Sequence, residues 1–166
     1  MIPNLAKIPG CVERAVINAF KVQLSSTCSV KNLSMKLEDV KLTSVDCLST
    51  IILQSSNLTG SISIAFPKNT FLKTIEKMIG EPVGEITSEN CDASSEMLNI
   101  IYGQARREIN ELNFDFSLAI PSTVIGNNLS IAKSNLLGHI LFFNCTSELG
   151  EFVVLLSLKT KDADKN

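Results

Sequence analysis

The apolar periodicities along the chain predict an α/β fold of the α+β type. Two pseudo-repeated halves, each a helix followed by three strands, form a largely antiparallel sheet with the long helices packed on one face. Two observations carry this prediction. The elements run helix, three strands, linking helix, helix, three strands, and strands grouped between single helices pair antiparallel rather than through parallel crossovers. The chain has 166 residues, 45% of them hydrophobic, enough for one core burying roughly two thirds of the unfolded surface. Residues 1–160 are expected to form a single domain, and the charged end KDADKN (161–166) a frayed tail.

The first helix is expected over Cys11–Leu24, where Val12, Ala15, Val16, Ala19 and Phe20 recur at helical spacing and Val22 and Leu24 prolong the apolar side. Three strand-like runs follow. In KNLSMKLED, Leu33, Met35 and Leu37 alternate with polar residues; Val45–Leu53 is apolar on both faces towards its end; Leu58–Phe66 alternates Ile62, Ile64 and Phe66 with small residues. Ser55-Ser56-Asn57 marks a turn between the last two. A short helix begins after Pro67 and ends by Gly80. Glu81–Asn90 reads as a loop, Ser88–Leu112 as a long helix, and Phe114–Ile120, Leu137–Cys145 and Glu151–Lys159 as three more strands. The last two are apolar on both faces, so either both sides are covered within the domain or one meets another subunit.

Composition narrows the chemistry. With 15 basic and 17 acidic residues the chain lacks the basic excess of a general nucleic-acid binder. Its longest apolar run, Phe152–Leu156, is too short to span a membrane, and MIPNLAKIPG lacks a signal-peptide core. A single histidine, His139, excludes multi-histidine metal sites, and in GHILFF it reads as a core or edge residue rather than a triad base. The five cysteines include no CxxC pair and suit a reducing cytoplasm. No GxGxxG or GxxxxGK[ST] occurs. Chemistry here must run on carboxylates, amides or hydroxyls.

The long helix is the distinctive element. At 100° per residue, Met97, Leu98, Ile101, Ala105, Ile109 and Leu112 form one stripe, and Asp92, Glu96, Asn99, Gly103 and Asn110 lie opposite. Glu96 and Asn99 are therefore neighbours on the solvent face. A helical glycine costs about 1 kcal/mol relative to alanine, yet nothing in the sequence needs a small residue at Gly103, whose bare backbone would let another surface approach. Ile100 and Tyr102 border this face as candidate apolar contacts. The pattern suits a docking helix.

These residues carry a resemblance. Asp92-Ala-Ser-Ser-Glu96-Met-Leu-Asn99, followed after 21 residues by Pro121, resembles the signature of the CheC/CheX/FliY phosphatases: an Asp or Ser, three residues, Glu, two residues, Asn, about twenty-one residues, Pro. NIIYGQARREINEL after the Asn and PSTVIGNN from the Pro match the surrounding context, and the element order is similar to CheX through nearly the whole chain. The resemblance implies a chemotaxis phosphatase hydrolysing the aspartyl phosphate of a CheY-type response regulator. Asn99 and Glu96 would then be the catalytic residues, Glu96 also docking the partner, while Ile100 and Gly103, read from the helix face, complete the docking surface. Asp92 and Pro121 hold the motif's structural positions. It implies no cofactor of the chain's own, the partner bringing a divalent cation (Mg), and a homodimer, with no nucleic acid or membrane partner.

In the first helix the position three after Glu13 is Val16, an apolar residue that cannot orient water. The first half thus lacks a second site, as in CheX and unlike two-site CheC relatives. Two other readings compete. The same fold can dock a receiver domain without catalysis, and a flagellar-switch subunit would need an extension for which the chain has no room.

Overall fold

A computed structural model describes residues 2–34, 44–131 and 138–161. A short 3-10 turn (Leu5–Lys7) leads into α1 (Ile8–Leu24), then β1 (Cys28–Ser34), β2 (Cys47–Gln54), β3 (Leu58–Phe66), α2 (Lys68–Ile79), α3 (Asp92–Glu111), β4 (Ser122–Ile125), β5 (His139–Ser147) and β6 (Gly150–Thr160). The strands form one six-stranded sheet in the order β1-β5-β6-β3-β2-β4, and every pairing is antiparallel. Exchanging β1 with β4, β2 with β5 and β3 with β6 reads that order backwards. The repeat visible in the sequence is therefore a two-fold repeat of topology, with β3 and β6 at its centre.

α1 and α3 pack antiparallel to each other. The Arg14 guanidinium donates to Glu108 at 2.6 and 2.9 Å, and Asn18 Nδ2 donates to Gln104 at 2.9 Å. Their apolar faces meet one side of the sheet. Ile8, Cys11, Val12, Ala15, Val16, Ala19 and Phe20 from α1 and Met97, Leu98, Ile101, Ala105 and Ile109 from α3 are all buried in the main core. The Phe20 ring stacks on Phe152 with centroids 4.4 Å apart, fixing α1 over β6. Val22 departs from expectation and is 61% exposed, because two residues past Phe20 the helix has turned about 200°.

The central strands alternate cleanly. On β6, Phe152, Val154, Leu156 and Leu158 join the helix-side core, while Val153 and Leu155 join a second cluster with Val45, Ala65 and Phe142 on the opposite face. Leu48, Leu129, Ile131 and Ile140 pack against that cluster. Both faces of β5 and β6 are thus covered within the chain, and their two-faced apolar pattern does not require a second subunit. β2 is single-faced: Cys47, Ser49, Ile51 and Leu53 are buried, but Ile52 is exposed.

β1 begins earlier than expected, at Cys28; Met35, Leu37 and Leu137 lie outside the described residues. The expected tail begins with Lys161, whose N–H donates to Asn57 O at 2.9 Å and whose Nζ donates to Ser55 O at 2.5 Å; the rest lies outside the described residues. All five cysteines are free. Cys11, Cys47 and Cys145 are buried and Cys28 and Cys91 half-buried; burial pushes the Cys47 thiol up to about 12.

Asp46 is the main polar clasp. Its carboxylate accepts from the Lys68 N–H at the start of α2 (2.9 Å), the Asn128 N–H (3.0 Å) and the Ser44 hydroxyl (2.6 Å). Burial works to raise its pKa, but these bonds outweigh it and hold the carboxyl below the ordinary range.

The seventh expected element is not a strand. Phe114–Ile120 is extended but joins no ladder, and the edge strand forms after Pro121 instead, at Ser122–Ile125. Side chains of α3 take the backbone groups that a neighbouring strand would need. Asn110 Oδ1 accepts from the Phe116 N–H at 2.9 Å, Asn110 Nδ2 donates to Phe116 O at 3.1 Å, and the Tyr102 hydroxyl donates to Ser117 O at 2.6 Å. Phe114 and Phe116 are buried and Asp115 and Ser117 exposed, so the segment keeps the alternation of a strand without its pairing.

Candidate functional site on the exposed face of the third helix

α3 starts at Asp92, four residues later than the apolar pattern suggests. Thr87 and Asn90 explain the delay. The Thr87 N–H donates to Asn90 Oδ1 (2.8 Å) and the Asn90 N–H to Thr87 Oγ1 (3.3 Å), closing a reciprocal turn ahead of the helix. Asp92 lies exposed in the first turn, where the helix's positive end favours a carboxylate. It makes no side-chain cap: the residue before it, Cys91, occupies the cap position without one.

Glu96 and Asn99 are both exposed, three residues apart on one helical turn, which sets their Cβ atoms about 5–6 Å apart. Among the described residues neither side chain is engaged in a hydrogen bond or ion pair, so both are available to an incoming surface. Ile100 is half-buried beside them. A Cβ built on Gly103 would meet nothing within 4 Å. Among the described residues nothing demands glycine there. With Asn99, Ile100, Arg106, Arg107 and Asn110 it lines a shallow, open depression along the helix. Two sequence assignments change. Tyr102 is buried and bonded through its hydroxyl, not a surface contact, and Asn110 is committed to Phe116.

The helix start is held by hydroxyls that motif reasoning passed over. Ser49 on β2 donates to the fully buried Ser94 at 2.7 Å and bonds Thr123 on β4 at 2.6 Å; Thr123 in turn bonds Ser95 at 2.5 Å. This chain of hydroxyls fastens the turn before Glu96 to β2 and to the edge strand β4. The available signal was the polar residue Ser49 at a core-facing position of β2. Pro121, half-buried, ends the extended segment just before β4; having no N–H, it leaves no donor to satisfy there.

The first helix has no equivalent site, although its register differs from the one that places Glu13 opposite Glu96. Laying Ile8 on Ser94 brings Cys11, Val12, Ala15, Val16 and Ala19 onto Met97, Leu98, Ile101, Tyr102 and Ala105, and every one of these is buried. Val16 is a core residue matched to Tyr102. Gly10 then falls opposite Glu96, Glu13 opposite Asn99 and Ile17 opposite Gly103. α1 thus has a carboxylate at the amide's place and no acid a turn before it.

His139 opens β5, exposed, beside an apolar cavity walled by Leu141, Leu156 and Leu158. Among the described residues no cluster of His, Cys, Asp or Glu could hold a metal ion, and no helix is long and apolar enough to cross a membrane.

Comparison with known proteins places this geometry in context. A family model described as chemotaxis phosphatase CheX matches residues 48–144, a span that includes Glu96, Asn99 and Pro121. No curated protein matches the chain significantly in sequence. Among solved structures, chemotaxis protein CheX from Vibrio vulnificus superposes with a TM-score of 0.82 at 22% identity, covering 92% of this chain and 99% of that one. A CheC-like superfamily protein from Shewanella sp. PV-4 gives 0.81 at 23% identity, covering 96% and 99%. A CheX–CheY–BeF3–Mg2+ complex from Borrelia burgdorferi gives 0.65 at 16% identity, covering 92% and 97%.

Proposed function

This chain belongs to the CheX family of chemotaxis phosphatases, and on that footing we propose that it hydrolyses the aspartyl phosphate of a CheY-type response regulator, with Asn99 as the catalytic residue and Glu96 as its docking neighbour. The observation that supports this most is the open placement of a Glu–Asn pair on one turn of α3, with neither side chain engaged among the described residues.

The chemistry asks little covalent work of the protein. Water attacks phosphorus in line, the bond from phosphorus to the aspartyl oxygen breaks, and aspartate and inorganic phosphate leave. What the protein must supply is position and charge compensation. The Asn99 carboxamide oxygen accepts from the attacking water, while its NH2 donates to the partner's phosphoryl oxygens or backbone. Glu96 forms a charge-assisted bond to a lysine beside the phosphorylation site. A divalent cation travels with the partner, as fits the magnesium and beryllofluoride in the Borrelia CheX–CheY complex. A homodimer belongs to the same proposal through the family resemblance; β5 and β6 give it no independent support.

The test is a turnover assay in which a phosphorylated CheY-type receiver domain decays with and without this protein. Wild type is expected to accelerate decay, and Asn99→Ala to lose about 100-fold or more of that acceleration with an unchanged melting temperature. Equal activity in the variant removes the assigned mechanism. Binding without acceleration in the wild type reduces the chain to a docking module.

A further inference from the structure

We infer that Leu118 and Ile120 form an apolar docking rail for the phosphorylated receiver domain, alongside Asn99 on the flank of α3 that faces away from α1. The inference rests on the phosphatase reading above and extends its docking surface beyond α3.

The two side chains are 79% and 91% exposed. Isolated surface apolar residues are ordinary, but these follow directly on a closely held stretch. Phe114 and Phe116 anchor it in the core. Asn110 engages both backbone groups of Phe116, Tyr102 bonds Ser117 O, the Ser117 N–H donates to Gln54 O at 3.2 Å, and Asp115 Oδ1 accepts from both the N–H and the hydroxyl of Ser56 at 2.9 Å. Beyond Ser117 the half-buried Ala119 packs against the core between Leu118 and Ile120, and Ser122 pairs with Thr50 on β2, so the two apolar side chains are turned to solvent between fixed points, which lowers the entropic cost of ordering them on contact.

Its position beside the site follows from helix geometry. Ser95, Asn99, Tyr102 and Arg106 fall within about 60° of one another around α3. Two of these touch the segment and a third the strand after it: Arg106 Nη1 donates to Phe116 O at 3.4 Å, Tyr102 to Ser117 O at 2.6 Å, and Ser95 bonds Thr123 on β4 at 2.5 Å. The chain between Ser117 and Thr123 therefore passes the turn that carries Asn99, running opposite to the helix. A receiver domain broad enough to cover the turn carrying Asn99 and the bare backbone at Gly103 then extends over Leu118 and Ile120 as well.

The opposite flank of α3 differs. It is occupied by α1 through the Arg14–Glu108 and Asn18–Gln104 pairs. One side of the amide is thus apolar and the other polar, and this asymmetry sets the direction in which a receiver domain lies: its apolar surface over the rail, its lysine towards Glu96.

The experiment is steady-state dephosphorylation of a CheY-type receiver domain kept phosphorylated by acetyl phosphate, using the full chain and a Leu118→Ser/Ile120→Asn double variant. KM is expected to rise about ten-fold, with kcat, melting temperature and oligomeric state unchanged. The conservative pair Leu118→Met/Ile120→Val should keep the wild-type KM. An unchanged KM in the polar variant, with wild type active, overturns the rail alone. So does a fall in kcat at constant KM, which would make the segment a support for Asn99. A change of oligomeric state at constant KM would assign the face to a second copy of the chain. If wild type accelerates the decay of no receiver domain, the phosphatase reading fails and the rail with it.

Discussion

α1 and α3 occupy equivalent places in the two halves of the fold and bury the same ladder of positions, yet only one presents an acid and an amide together. Ile8 to Ala19 repeats the core face of Ser94 to Ala105 position by position. Opposite that face the helices part company: Gly10, Glu13 and Ile17 on α1 against Glu96, Asn99 and Gly103 on α3. Core packing restricts one side of each helix to apolar or small residues. The outward side bears no such restriction, so the repeat persists in the fold while the candidate chemistry occupies one half.

The most severe test of that contrast is a transplant. Gly10→Glu with Glu13→Asn puts the same pair on α1 at the matched register. Placed in an Asn99→Ala background, it should restore less than a tenth of wild-type activity, measured by receiver dephosphorylation. α1 keeps Ile17 where α3 has Gly103, and a glutamate at position 10 brings its Cβ to 3.3 Å from the Arg14 guanidinium. Full rescue would show that two side chains on a turn are sufficient and their setting irrelevant.

A smaller effect separates docking from folding at Gly103. Because a Cβ there meets nothing among the described residues, Gly103→Leu should stabilise the helix by about 0.5–1 kcal/mol while raising KM for the phosphorylated receiver about ten-fold. Melting temperature and activity then move in opposite directions. A variant more stable and fully active would show that this face meets no partner.

The last test leaves turnover aside and concerns the stability of the sheet on which both helices pack. Asp46 has its pKa lowered in the folded chain, so its contribution to stability is present above the ordinary carboxylate pKa, about 3.9, and is lost as pH falls through the lower folded value. Asp46→Ala should cost about 2 kcal/mol at neutral pH by leaving the Lys68 and Asn128 N–H groups unpaired. The difference from wild type should narrow below about pH 4, as followed by thermal melts. A constant difference across that range would assign the loss to packing alone.

Much of the site could be read from residue order. A Glu and an Asn three apart on an amphipathic helix must share its polar face, and Gly103 stood out because a helical interior disfavours it. The setting of that pair was not readable in the same way. Phe114–Ile120 has the alternation of a strand, and local pattern cannot tell that Asn110 and Tyr102 take up backbone groups of Phe116 and Ser117. Nor could it tell that Ser49, Ser94, Ser95 and Thr123, dispersed along the chain, form one hydroxyl chain under the helix start.

By itself the sequence determined the class of fold, the two-fold order of its elements and the polar line on α3, because periodicity and turn chemistry are local properties. The tertiary structure decided which strand reached the edge of the sheet, that both faces of β5 and β6 are covered within one chain, and that an apolar segment runs past Asn99. Those outcomes depend on which distant groups compete for the same backbone donors and acceptors, and that competition exists only once the chain has closed on itself.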